Sequence, residues 1–221
     1  MKRILILAVS AVFAFGCSRS EEVKNTATVN APPANTATNA APPPVKEEVY
    51  TAGANPRADL ISATQKLQKV PFWSAVVTSA SDLELKIEME YAAPDRYRIK
   101  KAEGEVIVIG GDTYSNEGGK WEKIDSDIGA LIKEQISTGI AEGVQSMKDV
   151  QIAGKEKFAG KDATVYAHKI GDAQIKVWIA TDTGLQLKNE VELSAAGEVQ
   201  KQTTVYDYEK PVKIEAPKIT Q

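Results

Sequence analysis

The sequence has only one cysteine and one histidine among its 221 residues. A single cysteine excludes a disulfide within one chain, and a single histidine excludes a metal site built from several histidines of one chain. Most zinc enzymes are therefore excluded, and any Ser-His or Cys-His nucleophile would have to use His168. No excess of charge is present either, because the formal net charge is -3, which gives no reason to expect nucleic acid as a partner.

Long apolar runs are also lacking, apart from one at the start of the chain. Ile4 to Phe15 is an almost unbroken apolar stretch after Lys2 and Arg3. It is shorter than the roughly twenty residues that a transmembrane helix needs, and it is typical of a secretory signal peptide. The stretch ends at Ala14-Phe15-Gly16-Cys17, whose small residues at the first and third positions before the cysteine resemble the lipobox of bacterial lipoproteins.

This resemblance implies that residues 1–16 are a signal peptide and that the thiol of Cys17 receives a diacylglycerol. In that family the signal peptide is then cut before the cysteine, and the new amine is often acylated. Two or three acyl chains, at roughly 0.8 kcal/mol per buried methylene, would form a durable membrane anchor. Ser18 resembles the signal that sorts lipoproteins to the outer membrane, so the predicted location is the periplasmic face of that membrane. The alternative is an ordinary secretory signal with an incidental cysteine.

Residues 17–55 are predicted to form the lipidated cysteine and a disordered tether. The segment is rich in Ala, Asn, Thr and Pro, including Pro32-Pro33 and Pro42-Pro43-Pro44. It shows no apolar periodicity and has too few large apolar groups to offset the entropy cost of ordering the backbone. A coil of about 38 residues spans on the order of 35 Å. A passive spacer is the simpler interpretation, and a proline-rich recognition motif is the alternative.

Residues 56–221 have the pattern of a folded domain. Asn55-Pro56 is typical of a helix start, and Pro71 ends the helical spacing that follows. From Phe72 the apolar period is two, and it is clearest from Leu83 to Tyr91. One further helix is predicted, with an apolar stripe from Ile128 to Met147. About ten strands are predicted at residues 83–91, 96–101, 105–109, 112–115, 120–124, 150–158, 163–170, 174–180, 185–193 and 199–208.

The order of these elements predicts a mainly β fold. A strand-helix-strand rhythm is missing, so a parallel doubly wound sheet is not expected. Alternation of apolar and polar residues is typical of an antiparallel sheet with one buried face. We therefore expect a large, curved antiparallel sheet whose concave face is covered by the two helices.

Short motifs between residues 57 and 217 carry a resemblance to a known family. They are Pro94-Asp95-Arg96-Tyr97-Arg98, the Gly111–Tyr114 hairpin with the strand Trp121–Ile124, the segment Val177–Lys188, and Tyr206-Asp207-Tyr208 with Pro211–Ile214. In these motifs and their order the chain resembles the LolA/LolB/LppX-type lipoprotein-carrier superfamily, including its outer-membrane lipoprotein-sorting members. Gln186, where proline is common in that family, and the long tether depart from the pattern.

The resemblance implies an unclosed β-barrel, capped by helices, around an apolar cavity that takes acyl chains. Such binding would depend on apolar area removed from water, at roughly 25 cal/mol per Å2, and would require no cofactor. The predicted cavity lining is Leu85, Ile87, Met89, Ile99, Ile107, Trp121, Leu131, Ile136, Ile140, Val165 and Trp178. Arg96 and Arg98 are predicted at the rim, near a lipid head group. The alternatives are plain core packing for the apolar residues and surface salt bridges for the arginines.

Three features resemble catalytic or metal-binding motifs. Asp182-Thr183-Gly184 matches a loop of aspartic proteases but occurs once, and a hairpin turn explains it equally well. Asp125-Ser126-Asp127 is more typical of a helix cap than of a metal site. His168 has no cysteine or acid beside it in the sequence, which favours a surface or core side chain. We therefore predict no enzyme activity, no metal and no cofactor.

The sequence thus predicts a membrane-tethered, non-enzymatic protein of the bacterial cell envelope that binds or carries lipid or the acyl chains of lipoproteins. The expected partners are these acyl chains and, through Cys17, a membrane. The alternative hypothesis is an envelope sensor or interaction module that uses the same fold as a docking surface for an envelope protein.

Overall fold

The structure is a computed structural model that describes Gly53 and residues 55–80, 85–125, 128–132, 143–195 and 198–219. The predicted signal peptide, Cys17, most of the predicted tether, and Ile136 and Ile140 lie outside these residues. Within the described residues, no helix has the length and apolar character needed to span a membrane.

The described part of the chain contains one sheet of eleven antiparallel strands and helical residues in three places. Helix α1 (Pro56–Leu67) comes first, and shorter helical stretches occupy residues 128–132 and 143–146. The strands are β1 (Phe72–Ala80), β2 (Leu85–Ala92), β3 (Arg96–Lys101), β4 (Gly104–Ile109), β5 (Asp112–Glu117), β6 (Lys120–Ile124), β7 (Lys148–Phe158), β8 (Lys161–Ile170), β9 (Ala173–Ala180), β10 (Gln186–Ala195) and β11 (Glu198–Asp207).

The strand order across the sheet is β6-β5-β4-β3-β2-β1-β11-β10-β9-β8-β7. In the described residues, β6 and β7 are the two edges, so the sheet is not closed into a barrel. This confirms the predicted mainly β fold with an unclosed antiparallel sheet. β1 is an additional strand, because the prediction counted none between Phe72 and Ala80. The predicted second helix is helical at both ends, and residues 133–142 between them are outside the described part.

Cross-strand register assigns every strand side chain to one of two faces. Trp73, Tyr91 and Tyr97 are direct partners across β1, β2 and β3 and share one face. The registers across β11, β10 and β9 place Val177 and its partner Tyr166 on that same face. Helix α1 packs on Tyr166 and Val177, so we call this side the helix face and the other side the opposite face.

Helix α1 forms where local sequence and packing agree. The side chain of Asn55 accepts hydrogen bonds from the backbone N–H groups of Arg57 and Ala58, at 3.1 and 3.2 Å, and so caps the helix start as predicted. Leu60 and Ala63 are buried against Val177 and Ile179 on β9. Helix α1 therefore covers the half of the helix face that is made by β8, β9 and β10.

The other half of the helix face, on β1 to β4, is contacted by Leu67 of α1, by Val70 and by the helical residues 128–132. Ile128 and Ile132 pack against a cluster that contains Val108 of β4. A Cβ atom added to Gly129 would lie only 2.8 Å from Cγ1 of Val108. Glycine at this position therefore allows the helical backbone to approach β4 closely.

The chain after β11 packs on the opposite face. Ile214 is buried against Ile107 of β4 and Tyr114 of β5, with Val212 beside them. Residues 211–214, which belong to the last family motif, are not part of the sheet, because β11 ends at Asp207 and residues 211–219 are neither helix nor strand.

Candidate functional site

An aromatic row crosses the helix face from β3 to β11. The ring centroids are 5.2 Å apart for Tyr97 and Tyr91, 5.8 Å for Tyr91 and Trp73, and 5.9 Å for Trp73 and Tyr206. Tyr208 stacks on Tyr206 at 6.2 Å. Burial raises the pKa of Tyr206 to about 12 and also raises the pKa values of the other tyrosines of the row. The row therefore presents a neutral, largely apolar surface at physiological pH.

Aliphatic side chains continue this surface along the strands. Met89 pairs with Ile99 beside the aromatic row, and Ile87 pairs with Val77 one step further along. Leu85 follows at the end of β2, opposite Ser79. The predicted lining residues Leu85, Ile87, Met89 and Ile99 thus share the helix face of β2 and β3. Ile87 and Ile99 are buried, whereas Leu85 and Met89 are half-buried.

Other predicted lining residues lie on the opposite face and cannot line the same cavity. Register places Ile107 and Trp121 there, and both pack with Ile214 of the C-terminal segment. Val165 and Trp178 are direct partners on that face of β8 and β9 and pack in a separate cluster with Leu187. Ile107, Val165 and Trp178 are buried and Trp121 is half-buried, but their cover lies on the opposite face of the sheet.

Leu131 is also not part of a buried lining, because 53% of its side-chain surface is exposed. It belongs to the helical residues 128–132, whose contacts with the sheet are made by Ile128 and Ile132 instead. Ile136 and Ile140, predicted on the same apolar stripe, lie outside the described residues.

Both predicted rim arginines lie on the opposite face and make structural contacts. Arg96 donates a hydrogen bond of 2.7 Å to the carbonyl oxygen of Ile214 and so holds the C-terminal segment. Arg98 donates to Glu90 at 2.7 Å and forms an ion pair with Glu105 at 3.2 Å. Arg98 therefore forms salt bridges, as the alternative prediction states, and does not lie beside the apolar surface of the helix face.

Sequence patterns did not reveal the polar side chains that lie on the helix face of β8 and β10. Thr164, His168 and Asn189 each have a buried side-chain atom that makes no hydrogen bond within the described residues. His168 is 6% exposed, and burial lowers the pKa of its imidazole to about 4, so the ring is neutral at pH 7. The sequence predicted a surface or core side chain for His168, and the structure places it in the core.

A polar groove of about 410 Å3 lies on the opposite face of β7 to β11. Its wall carries Lys169, Lys176, Lys201, Glu190 and Glu192. Asp149 pairs with Lys169 at 3.3 Å, and Glu190 pairs with Lys201 at 3.3 Å. Charges of both signs therefore lie along this groove, whose lining also includes Ala167, His168 and Ile175.

The aspartic-protease look-alike has a structural role in the hairpin between β9 and β10. Oδ1 of Asp182 accepts a hydrogen bond of 2.8 Å from the N–H of Thr183, and Gly184 has a φ of 69°. Glycine adopts this left-handed conformation without strain. In the described ranges, no group of three or more histidine, cysteine or acidic side chains is arranged to hold a metal ion.

Comparison with known proteins shows which solved structures have a similar fold. No protein-family model matches the sequence, and no curated protein matches it significantly. The structure is similar to that of lipoprotein LppX of Mycobacterium tuberculosis, with a TM-score of 0.57 and 13% identity, over 72% of this chain and 98% of LppX. It is also similar to LprF of Mycobacterium bovis, with a TM-score of 0.55 and 12% identity, over 73% of this chain and 96% of LprF. The chain therefore has a fold like that of LppX and LprF.

Proposed function

We propose that this chain is a membrane-tethered, non-enzymatic protein of the bacterial cell envelope that binds or carries lipid or the acyl chains of lipoproteins. The tether would be anchored by lipid on Cys17, at the periplasmic face of the outer membrane. The acyl chains would lie on the helix face, along β1, β2 and β3.

The observation that carries the proposal is the continuity of the apolar helix face. The aromatic row from Tyr97 to Tyr206 joins directly to the aliphatic pairs Met89–Ile99 and Ile87–Val77. The surface has no charged side chain in these registers, and the tyrosine hydroxyls resist ionisation. An acyl chain on such a surface gains roughly 25 cal/mol for each Å2 of apolar area removed from water.

The cover of this surface comes from two parts of the chain. Helix α1, with Leu60 and Ala63 buried, packs on the β8–β10 half of the helix face. Leu67 of α1, Ile128 and Ile132 pack against the cluster of the β1–β4 half, and an acyl chain would lie between these side chains and the sheet. Leu85 and Met89, which are half-buried, mark where an acyl chain would enter.

The three tryptophans permit a face-specific binding test. Trp73 lies on the helix face, whereas Trp121 and Trp178 lie on the opposite face. Phosphatidylethanolamine with dibrominated acyl chains quenches only nearby indole rings. The chain from residue 17 onward, carrying Cys17→Ser to exclude covalent lipid, would be compared as the W121F/W178F variant and as the W73F variant.

We expect the brominated lipid to quench the W121F/W178F variant, in which Trp73 remains, relative to the same lipid without bromine. The W73F variant should be quenched much less. Equal quenching of both variants would indicate adsorption to the protein surface, and no quenching of Trp73 would contradict the proposal. Native mass spectrometry of the same samples would count the bound lipids.

A further inference from the structure

The opposite face keeps exposed apolar side chains at the centre of the sheet. Val76 on β1 and Val205 on β11 are direct partners across the two strands. Their side chains are 37% and 36% exposed. Both flanks of the same face are covered, because Ile214 packs on β4 and β5 and the ammonium of Lys188 lies over the ring of Trp178. An open strip with an apolar centre therefore remains on β2, β1, β11 and β10.

Two neighbouring rows of side chains cross this strip, and we call their eight residues the central strip. On β2, β1, β11 and β10, the first row is Glu88, Val76, Val205 and Lys188. On the same four strands, the second row is Lys86, Thr78, Thr203 and Glu190. The first row thus runs from an acid to a lysine, and the second row runs from a lysine to an acid.

The central strip is complementary to itself under a twofold rotation. When the axis runs parallel to the strands, between β1 and β11, β2 of one copy lies over β10 of the other, and each row lies over the same row in reverse order. Val76 then contacts Val205 of the second copy. Each charged residue of one copy faces an opposite charge of the other, Glu88 with Lys188 and Lys86 with Glu190.

A twofold axis that runs across the strands does not produce both contacts. Placed on the first row, it sets Glu88 over Glu88 of the second copy. Placed between the rows, it sets the valines over threonines. The parallel axis alone therefore joins the valines and also opposes the charges, and two sheets packed face to face keep their strands within about 30° of each other, so the rows stay in contact near the axis.

The charges of the central strip are already paired within each copy. Lys86 lies 2.8 Å from Glu88 on β2, and Lys188 lies 2.6 Å from Glu190 on β10. A second copy therefore adds a partner to each ion pair and leaves no charge buried alone, which is the arrangement that burial of charges requires.

We propose that the central strip is a transient dimer interface and that its occupant is the central strip of a second copy of this chain. Four strands about 4.8 Å apart and two rows about 7 Å apart give a contact of roughly 300 Å2 per copy, whereas a stable complex buries roughly 800 Å2 per partner. The dimer is therefore weak. Its formation goes beyond the proposed function and requires no lipid, because the helix faces of the two copies point away from each other.

Directed cross-linking detects such a weak contact. The chain from residue 17 onward, carrying Cys17→Ser, has no cysteine, so each thiol can be introduced singly. Val76→Cys would be reacted with excess bismaleimidoethane, freed of the reagent and mixed with Val205→Cys. The cross-linked heterodimer would be followed over time on reducing gels, on which disulfides do not contribute.

Val199→Cys is the matched control for Val205→Cys. Val199 lies on the same face of β11 and is 58% exposed, so random collision would favour it over Val205. It lies six residues earlier in the strand, about 20 Å from the valine row. We expect Val205→Cys to be captured about tenfold faster than Val199→Cys, because groups held in one complex have an effective concentration near the mM range.

A charge exchange tests the register of the interface. The double variant K86E/E88K keeps the net charge and the ion pair on β2, but it sets like charges opposite each other in the dimer. K120E/E122K is the matched control, because Lys120 and Glu122 form a similar exposed pair on the edge strand β6. In chains that also carry the thiols, K86E/E88K should slow the capture of Val205→Cys about fivefold, and K120E/E122K should leave it unchanged.

The outcomes bear on the interface and not on lipid binding. Equal capture at positions 205 and 199 would indicate random collision and overturn the proposal, and so would a rate that K86E/E88K does not change. Circular dichroism would verify that the variants are folded. Quenching of Trp73 by brominated lipid reports on the helix face, so failure of the dimer leaves the proposed function intact.

Discussion

The hydroxyl group of Tyr166 donates a hydrogen bond of 2.9 Å to Oδ2 of Asp59 and thereby joins β8 to helix α1. The same carboxyl group accepts hydrogen bonds from the backbone N–H of Gly53 at 3.0 and 3.2 Å. Tyr166 is fully buried and Asp59 is 7% exposed, so water cannot replace the contact. The side chain of Asp59 thus holds both the backbone that precedes α1 and the position of α1 on the sheet.

Tyr166→Phe should therefore lower the free energy of unfolding by about 1–3 kcal/mol, because it leaves a buried acceptor with one partner fewer. Urea denaturation followed by circular dichroism would measure the change. Tyr114→Phe is the control, since the hydroxyl of Tyr114 lies 3.4 Å from Oδ2 of Asp112, whose side chain is 49% exposed, and its removal should cost less. An equal loss in both variants would argue against a special role for the Asp59–Tyr166 contact.

Stability should fall when the pH is lowered from about 6.5 to about 4. Burial lowers the pKa of His168 to about 4 in the folded chain, against 6.5 for an ordinary histidine, so the unfolded chain binds the proton more readily in this range. The loss across the whole range is about 3 kcal/mol. Because His168 is the only histidine, His168→Leu should flatten the pH dependence above pH 5. A slope unchanged in that variant would assign the effect to other groups.

Gly129→Ala should destabilise the cover of β4. The added methyl group would lie 2.8 Å from Cγ1 of Val108, which is buried, and overpacking of this kind costs about 1–3 kcal/mol. The double variant with Val108→Ala should recover part of the loss in a urea titration, because it removes the opposing methyl group.

Gly143→Ala is the matched control for Gly129→Ala. Gly143 is also helical, and nothing lies within 4 Å of an added Cβ atom. Its replacement should leave stability unchanged or raise it by about 0.5–1 kcal/mol, because alanine is the better helix former. Destabilisation of both variants to the same extent would contradict the steric explanation.

Cys17→Ser should abolish anchoring to the membrane. Metabolic labelling with palmitate should mark the wild-type chain and not the variant, and fractionation should move the variant from the membrane to the soluble fraction. Wild-type protein that takes up no label would favour the alternative of an ordinary secretory signal with an incidental cysteine.

The elements that local sequence determines were predicted well. The start of α1 follows from the cap at Asn55, and β2 follows from the strict alternation of apolar and charged residues up to Tyr91. The period of two begins at Phe72, but β1 was not counted as a strand because the adjacent Val76 and Val77 point to opposite faces and interrupt the alternation. In β1, Val77 is 2% exposed on the helix face, whereas Val76 is 37% exposed on the opposite face.

The face of each buried residue could not be predicted from alternation. A period of two identifies residues that share a face, but the cover of that face comes from distant parts of the chain. Ile107 is buried by Ile214, which lies far away in the sequence. Consecutive residues from Val177 to Ala180 are all buried, since both faces of β9 are covered, and there the alternation disappears altogether. Buried polar atoms such as Nδ1 of His168 leave no pattern in the sequence at all.

The strand order has a kinetic consequence. β1 to β6 form one meander, and β7 to β11 form another. In the described residues, the pairing that joins strands distant in the chain is that of β1 with β11, which runs from Ser74–Asp207 to Ala80–Lys201. Each meander can form from local hairpins, whereas this ladder must first close a loop of more than a hundred residues, at a large cost in chain entropy. Formation of the β1–β11 ladder should therefore limit the folding rate, and substitutions such as Val76→Ala should slow folding more than equally destabilising substitutions at the sheet edges.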